Sequence, residues 1–135
     1  RHGRDVEEVG CTSYKDAAKR VLERLRLGDG GYETAAILAM TEKEAQRIWD
    51  AVKEVRTDAA YIDRNSANFQ KGVTVTTFYM AKGLEFDQVF VMGGEKGNPL
   101  FAQFRYICAT RALHELYIME YESCIRNSND GYFKI

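Results

Sequence analysis

Apolar positions along the chain follow two periods, one typical of helices and one typical of strands. Helical spacing predicts helices over 14–27, 42–55 and 99–113, and β-branched or continuous apolar runs predict strands over 34–40, 59–62, 73–78, 88–92 and 116–121, with an edge strand around 6–9. The run 88–92 shows little alternation, which is typical of a parallel strand covered on both faces. Because strands and helices alternate throughout, the pattern predicts an α/β fold with a parallel sheet flanked by helices.

Residues that favour helix starts support these boundaries. Ser13 or Thr12 can cap the first helix, and Thr41 with Glu44 fits a capping box at the start of the second. Pro99 suits the first turn of the third helix. Trp49 falls on the apolar face of the second helix and is expected to belong to the core rather than to a ligand site.

Length and composition indicate one globular domain. The 135 residues are 45% hydrophobic, which is enough for a single core. The formal net charge is −1, so the chain lacks the general basic surface that would hold a nucleic-acid backbone over a wide area. The cysteines lack C-x-x-C spacing and no apolar run reaches membrane-spanning length, so a cytoplasmic location without a zinc site is expected. We also expect loosely ordered ends at about 1–5 and 123–135.

The segment 73–94 joins strands to polar chemistry. Its β-branched run gives way to Lys82 and Gly83, where glycine permits a positive φ or a close backbone approach to a ligand. Glu85 lies between two apolar residues and is expected to point away from them. A carboxylate beside a basic residue and an exposed turn suits the binding of a ribose hydroxyl.

Thr110 and Arg111 stand near the predicted end of the third helix. A cation there interacts favourably with the helix dipole, so Arg111 taken alone has a structural interpretation as a helix cap or as the partner of a surface acid. A ligand phosphate is the alternative partner for the same guanidinium.

Together these two segments resemble the motifs that close the ATP site in superfamily 1 helicases of the UvrD/Rep/PcrA type. The family patterns run approximately T-x-H-x-A-K-G-L-E-F-D and Y-V-A-x-T-R-A-x-x-x-L, and this chain carries TFYMAKGLEFD at 77–87 and YICATRALHEL at 106–116. Two long matches in the right order make the resemblance specific. It implies a RecA-like domain of the P-loop NTPase type from an ATP-dependent DNA helicase that uses ATP and Mg²⁺.

The resemblance also implies roles for individual residues. Arg111 matches the arginine finger that reaches the γ-phosphate, and it is the candidate catalytic residue. Gly83 and Glu85 match nucleotide contacts. The candidates for the path of single-stranded DNA are Thr77, Tyr79 and Lys82, and no residue is implied as a metal ligand.

Departures from the family pattern point to one branch. Tyr79 stands where UvrD and Rep carry histidine, and Met40 stands about where an earlier strand of the family ends in a second phosphate-sensing arginine. Only the short polar segment 63–72 stands where those helicases carry a large helical insertion. These features resemble the HelD and helicase IV branch, which includes factors that work on bacterial RNA polymerase. An RNA polymerase-interacting ATPase module that does not unwind DNA is therefore the alternative function.

The phosphate-cradling pattern G-x-x-x-x-G-K-[ST] does not occur in the sequence. The chain is therefore expected to be the second, C-terminal RecA-like domain alone. A first, N-terminal domain, in a longer protein or on a partner, would supply the phosphate-binding lysine and the magnesium ligands, and the isolated fragment is expected to be inactive. An unrelated nucleotide-binding α/β domain is the remaining alternative.

Overall fold

The structure is a computed structural model that describes residues 5–28, 31–62, 72–93 and 97–121. The elements within these ranges are β1 (Asp5–Cys11), α1 (Tyr14–Arg24), β2 (Thr34–Ala39), α2 (Glu42–Val52), β3 (Ala60–Tyr61), β4 (Gly72–Thr77), β5 (Phe86–Met92), α3 (Phe101–Thr110) and β6 (Ala112–Tyr121). The ends expected to be loosely ordered lie outside the described residues, except for Asp5, which begins β1.

The described strands form one parallel sheet in the order β1-β6-β5-β2-β4-β3. The strand β2 lies between β4 and β5, and residues 35–39 of β2 are completely buried. This burial on both faces explains why the strand is a continuous run of alanine, isoleucine and leucine. The predicted parallel α/β sheet is confirmed.

Helices cover both faces of the sheet and create two cores. On one face α1 packs against β1 and α2 packs over β2 and β4, with Val21, Ile48 and Ile37 in a common cluster. On the other face α3 packs over β5 and β6, and Phe104 and Leu38 belong to that second cluster. The residues that follow β4 join the second core, so the motif segments lie on the α3 side of the molecule.

Side chains cap the first two helices as predicted. Ser13 Oγ accepts from the Asp16 backbone N–H at 3.1 Å, and Thr41 Oγ1 accepts from the Glu44 backbone N–H at 3.2 Å. The prediction for Pro99 is wrong, because Leu100 is the N-cap of α3 and the proline therefore precedes the helix.

The end of α3 also differs from the predicted boundary. The helix ends at Thr110 rather than at 113, and β6 begins at Ala112 rather than at 116. The Phe86 backbone N–H donates to Arg111 O at 2.8 Å, and Phe86 pairs with Ala112 in the sheet. This pairing draws the chain into the sheet before the apolar pattern of the helix ends.

Candidate functional site

A turn joins the carboxyl end of β4 to the amino end of β5 and carries most of the residues predicted to be functional. Its Phe78 and Ala81 are buried in the core beneath α3. Backbone N–H groups of Ala81 and Leu84 donate to Phe78 O and Ala81 O, at 3.2 and 3.0 Å, and fold the segment into two successive turns. Gly83 has a φ of +85°, which confirms the backbone conformation expected at this glycine.

Arg111 lies across from this turn, at the C-cap of α3. Its guanidinium donates from Nη1 to Leu84 O at 3.1 Å and from Nε to Thr110 Oγ1 at 3.2 Å. The Arg111 backbone N–H donates to Cys108 O at 3.1 Å. Side chain and backbone are thus both fixed, and the guanidinium fork retains further N–H donors for a ligand.

A pocket of about 270 Å³ lies between α3 and the turn. Its lining residues are Lys82, Gly83, Tyr106, Ile107, Thr110 and Arg111. The guanidinium of Arg111, the ammonium of Lys82, the Tyr106 hydroxyl and a glycine backbone form a donor set suited to phosphate oxygens. The volume falls just below the range of roughly 300–1,000 Å³ that encloses a whole small ligand, so this pocket suits one end of a nucleotide.

The structure brings Lys82 and Arg111 to the same pocket. Lys82 is exposed, and it lines the pocket together with the residues expected to contact nucleotide. The expectation that Lys82 contacts DNA stays a prediction, and its position makes a phosphate contact equally available to the ammonium group.

Glu85 stands between the pocket residues and the start of β5. Its neighbours Leu84 and Phe86 are half-buried and buried, while Glu85 is exposed, as the alternation predicted. Within the described residues Glu85 forms no hydrogen bond or ion pair. The carboxylate is therefore available to a ligand at the edge of the pocket.

Thr77 and Tyr79 are separated from this pocket. Thr77 is the last residue of β4, whereas Arg111 directly precedes β6 and Gly83 lies three residues before β5. In a parallel sheet Thr77 is therefore at the carboxyl ends of the strands, and Gly83 and Arg111 are at the amino ends. Thr77 is 2% exposed, and its Oγ1 has no hydrogen-bond partner among the described residues. Tyr79 is 38% exposed and packs edge-on against Phe78.

Met40 and Asp87 both contribute to the fold itself. Met40 is buried in the α3-side core, so the position at the end of β2 offers no cation to a phosphate. Asp87 Oδ2 accepts from the backbone N–H groups of Glu33 and Thr34 at 2.9 and 3.1 Å. The Asp87 carboxylate thus ties the start of β2 to β5.

A polar cluster around Glu115, on the α1 side of the sheet, was not predicted from the sequence. This carboxylate is 7% exposed and accepts from Gln88 Nε2 at 2.8 Å, from Tyr32 O–H at 3.3 Å and from Tyr117 O–H. Arg26 Nε lies 3.2 Å from its Oε2. Arg26 and Tyr32 lie between α1 and β2, Gln88 is in β5, and Glu115 and Tyr117 are in β6. These residues are distant in sequence, and the pairing of β5 with β6 brings Gln88 and Glu115 together.

The charge state of this cluster follows from those contacts. Burial by itself would raise the pKa of Glu115, but hydrogen bonds from Tyr117 and Gln88 and the charge of Arg26 outweigh it and lower the pKa. Burial, followed by the hydrogen bond to Glu115, raises the pKa of Tyr117 to about 12. The ionised carboxylate and the neutral phenol are therefore the stable pair at neutral pH.

The described ranges contain no group of three or more His, Cys, Asp or Glu side chains placed to hold a metal ion. Nor does any helix in those ranges have the length and apolarity needed to cross a membrane. Cys11 and Cys108 are buried, and burial raises the pKa of Cys108 to about 12. This thiol therefore stays protonated and unreactive at neutral pH.

Known proteins resemble this chain in sequence and in fold. No protein-family model matches the chain. The chain is 31% identical to DNA helicase II of Rickettsia typhi, over 72% of this chain and 19% of that protein. It is 30% identical to the probable DNA helicase II homolog of Rickettsia conorii, over 80% of this chain and 21% of the relative. The chain thus spans about a fifth of the length of the curated relatives it matches.

Solved structures establish the fold. The C-terminal domain of a possible DNA helicase from Lactobacillus plantarum WCFS1 superimposes with a TM-score of 0.74 at 26% identity, over 90% of this chain and 76% of that one. The chain has the fold of a helicase C-terminal RecA-like domain. Cas3 of T. fusca shares the fold alone, with a TM-score of 0.58 at 15% identity over 91% of this chain and 19% of Cas3.

These comparisons show a distant similarity to the C-terminal region of DNA helicase II, which is a UvrD-type superfamily 1 protein. The expected RecA-like fold is confirmed. The narrower resemblance to the HelD branch stays a prediction, because these relatives are of the DNA helicase II type. It rests on Tyr79, on Met40 and on the segment 63–72, and residues 63–71 of that segment lie outside the described residues.

Proposed function

We propose that the chain is the second, C-terminal RecA-like domain of an ATP-dependent superfamily 1 DNA helicase or translocase, with Arg111 as its arginine finger. The observation that carries this proposal is the convergence of Arg111, Lys82 and Gly83 on one pocket, with the guanidinium fixed on Leu84 O. The distant similarity to DNA helicase II supports the same function.

Arg111 would act on the charge that develops during phosphoryl transfer. A guanidinium aimed at the γ-phosphoryl oxygens stabilises the transition state electrostatically. Its hydrogen bonds to Leu84 O and Thr110 Oγ1 hold the fork before the ligand arrives, so less conformational entropy is lost on binding. The pocket therefore supplies one half of a nucleotide site that a facing domain completes.

The donor set also indicates which parts of the nucleotide site belong to this domain and which to the facing one. The pocket presents hydrogen-bond donors and cations, which suit the phosphates of ATP, whereas Mg²⁺ requires oxygen ligands such as carboxylates. We therefore assign the magnesium ligands and the phosphate-binding lysine to the N-terminal RecA-like domain. Glu85, which is exposed and without a protein partner among the described residues, is the proposed ribose contact.

Single-stranded DNA would bind near the carboxyl ends of the strands, away from the phosphate pocket. Tyr79 has an exposed ring that can stack on a base. Thr77 is buried and ends β4, so it would act by positioning the turn that carries Tyr79. The turn that follows β4 runs from the carboxyl end of that strand to the amino end of β5 and so joins the two sites. Movement of this turn is a direct route for coupling strand binding to the phosphate pocket.

The proposal is tested by ATP turnover of the complete protein with saturating single-stranded DNA. Arg111→Ala should lower turnover by about 10³- to 10⁵-fold, the value of an arginine finger. Arg105→Ala is the matched control, because the Arg105 guanidinium lies on the same helix but over the Phe101 ring, at 4.7 Å from its centroid. This control should retain most of the turnover.

An Arg111→Ala variant with more than about a tenth of wild-type turnover would refute the assignment of the finger. Wild-type turnover that does not respond to single-stranded DNA would instead favour the RNA polymerase-interacting ATPase.

A further inference from the structure

Tyr106 lines the phosphate pocket, yet no role has been assigned to it. Its side chain is 71% exposed, the highest value among the large hydrophobic side chains of the described residues. Two other residues of the same helix, Phe104 and Cys108, are completely buried. Tyr106 thus contributes little to the core, and its phenol stands at the rim of the pocket.

The phenol is also unengaged. The Tyr106 hydroxyl forms no hydrogen bond with the described residues. The neighbouring Arg105 packs its guanidinium over Phe101 and leaves the Tyr106 ring uncovered. Within the described ranges this hydrogen-bond donor therefore has no partner, and it lines the same pocket as two cations, Lys82 and Arg111.

The position of the pocket explains why it needs a side-chain donor. It lies at the C-terminal end of α3, where the helix presents carbonyl groups and the negative end of its dipole. Phosphate sites at helix N-termini use backbone N–H groups, which this helix end does not present. An anion held here must receive its hydrogen bonds from side chains and from the turn at Gly83, because the helix end supplies none.

We propose that Tyr106 is a phosphate-binding residue of this pocket, whose hydroxyl donates to an oxygen of the same γ-phosphate that Arg111 contacts. The inference rests on the proposed function, since it takes the pocket as the phosphate end of an ATP site. A phosphate presents three peripheral oxygens, and the cations of Arg111 and Lys82 leave room for a neutral donor. Tyr106 positions the phosphate for the finger.

The test compares the affinities of ATPγS and ADP, measured by calorimetry on the complete protein with Mg²⁺ and without DNA. Tyr106→Phe removes only the hydroxyl and should weaken ATPγS binding by about tenfold, the effect of a hydrogen bond to a charged group. ADP, which lacks the γ-phosphate, should bind within about twofold of wild type. Leu100→Ala, another exposed side chain next to α3, is the control and should change neither affinity.

The result separates this inference from the proposed function. The hydroxyl contact is overturned if Tyr106→Phe binds ATPγS within about twofold of wild type. It is also overturned if Tyr106→Phe loses as much affinity for ADP as for ATPγS. A loss in Tyr106→Ala that is absent in Tyr106→Phe overturns it as well, because it would assign the effect to the ring. If Arg111→Ala weakens ATPγS binding in the same series, the proposed function stands in each of these cases; if it does not, the phosphate pocket itself is wrong.

Discussion

The Arg111 guanidinium combines a structural contact with unused donors. Its bond to Leu84 O ties the end of α3 to the turn, and the remaining N–H groups are available to a ligand. The helix-cap interpretation and the phosphate interpretation are thus compatible descriptions of one side chain. They differ in what a substitution should change, stability in one case and turnover in the other.

Glu115 leads to a prediction about stability alone. Glu115→Gln should lower the free energy of unfolding at pH 7 by roughly 1–3 kcal/mol, because a buried ionised acceptor for Gln88, Tyr117 and Arg26 is lost. The measurement is urea unfolding at several pH values. Glu8→Gln, which alters an exposed carboxyl of the edge strand β1, is the control and should stay within about 0.5 kcal/mol of wild type.

The pH dependence has a defined sign. Because the pKa of Glu115 is lowered in the folded state, its stabilising effect is present above the unfolded value of about 4.3 and is lost as the pH falls through the folded value. The stability difference between wild type and Glu115→Gln should therefore shrink below about pH 4. A difference that is the same at pH 7 and in acid would contradict the lowered pKa.

Residues differ in how far local sequence predicts them. Glycine at position 83 permits a positive φ, and the apolar neighbours of Glu85 predict its outward position; both features are observed. The Glu115 cluster could not be predicted, because its members lie far apart in the chain and meet only through the pairing of β5 with β6.

The boundary between α3 and β6 shows a similar limit for whole elements. Ala112 and Leu113 continue the apolar helical period, and a strand accepts the same residues equally well. The hydrogen bond from Phe86 to Arg111 O decides between the two conformations, and it joins segments that are distant in sequence. Helix starts were easier to predict at α1 and α2, because the capping side chains of Ser13 and Thr41 act locally.

The turn between β4 and β5 depends on the conformation of Gly83. An added Cβ would meet nothing within 4 Å, but the φ of +85° is strained for any other residue. Gly83→Ala should therefore lower the free energy of unfolding by about 1–2 kcal/mol through the backbone alone. Gly97→Ala is the matched control, since Gly97 also has open space and has no positive φ.

Urea unfolding of the two alanine variants checks this prediction. Gly97→Ala should be neutral or slightly stabilising, because it reduces the entropy of the unfolded chain without strain. Equal changes in the two variants would show that the turn does not require its left-handed glycine.

The sheet order separates the two sets of candidate residues. Alternating strands and helices predicted a parallel sheet, but not the order β1-β6-β5-β2-β4-β3, which depends on pairing between distant segments. The parallel direction of the strands places Arg111 and Gly83 at their amino ends and Thr77 at their carboxyl ends. The proposed nucleotide and DNA contacts therefore lie on different sides of the domain, connected by one turn.

The isolated chain gives a test of the two-domain arrangement. A helicase C-terminal domain of this fold has been solved by itself, so this chain is expected to fold alone. It lacks a phosphate loop and should show no ATP hydrolysis above an Arg111→Ala version of the same chain. Turnover by the isolated chain that exceeds this control and rises with single-stranded DNA would contradict the dependence on a first domain.

The most direct test of the central claim is Arg111→Lys in the complete protein. Steady-state ATP turnover with saturating single-stranded DNA and the free energy of unfolding are measured on the same preparation. Lysine keeps the charge at the helix end, so unfolding should change by no more than about 1 kcal/mol. It lacks the planar fork, so turnover should fall toward the roughly 10³-fold loss of a missing finger. Retention of more than about half of the turnover would contradict the claim and leave Arg111 as a helix cap.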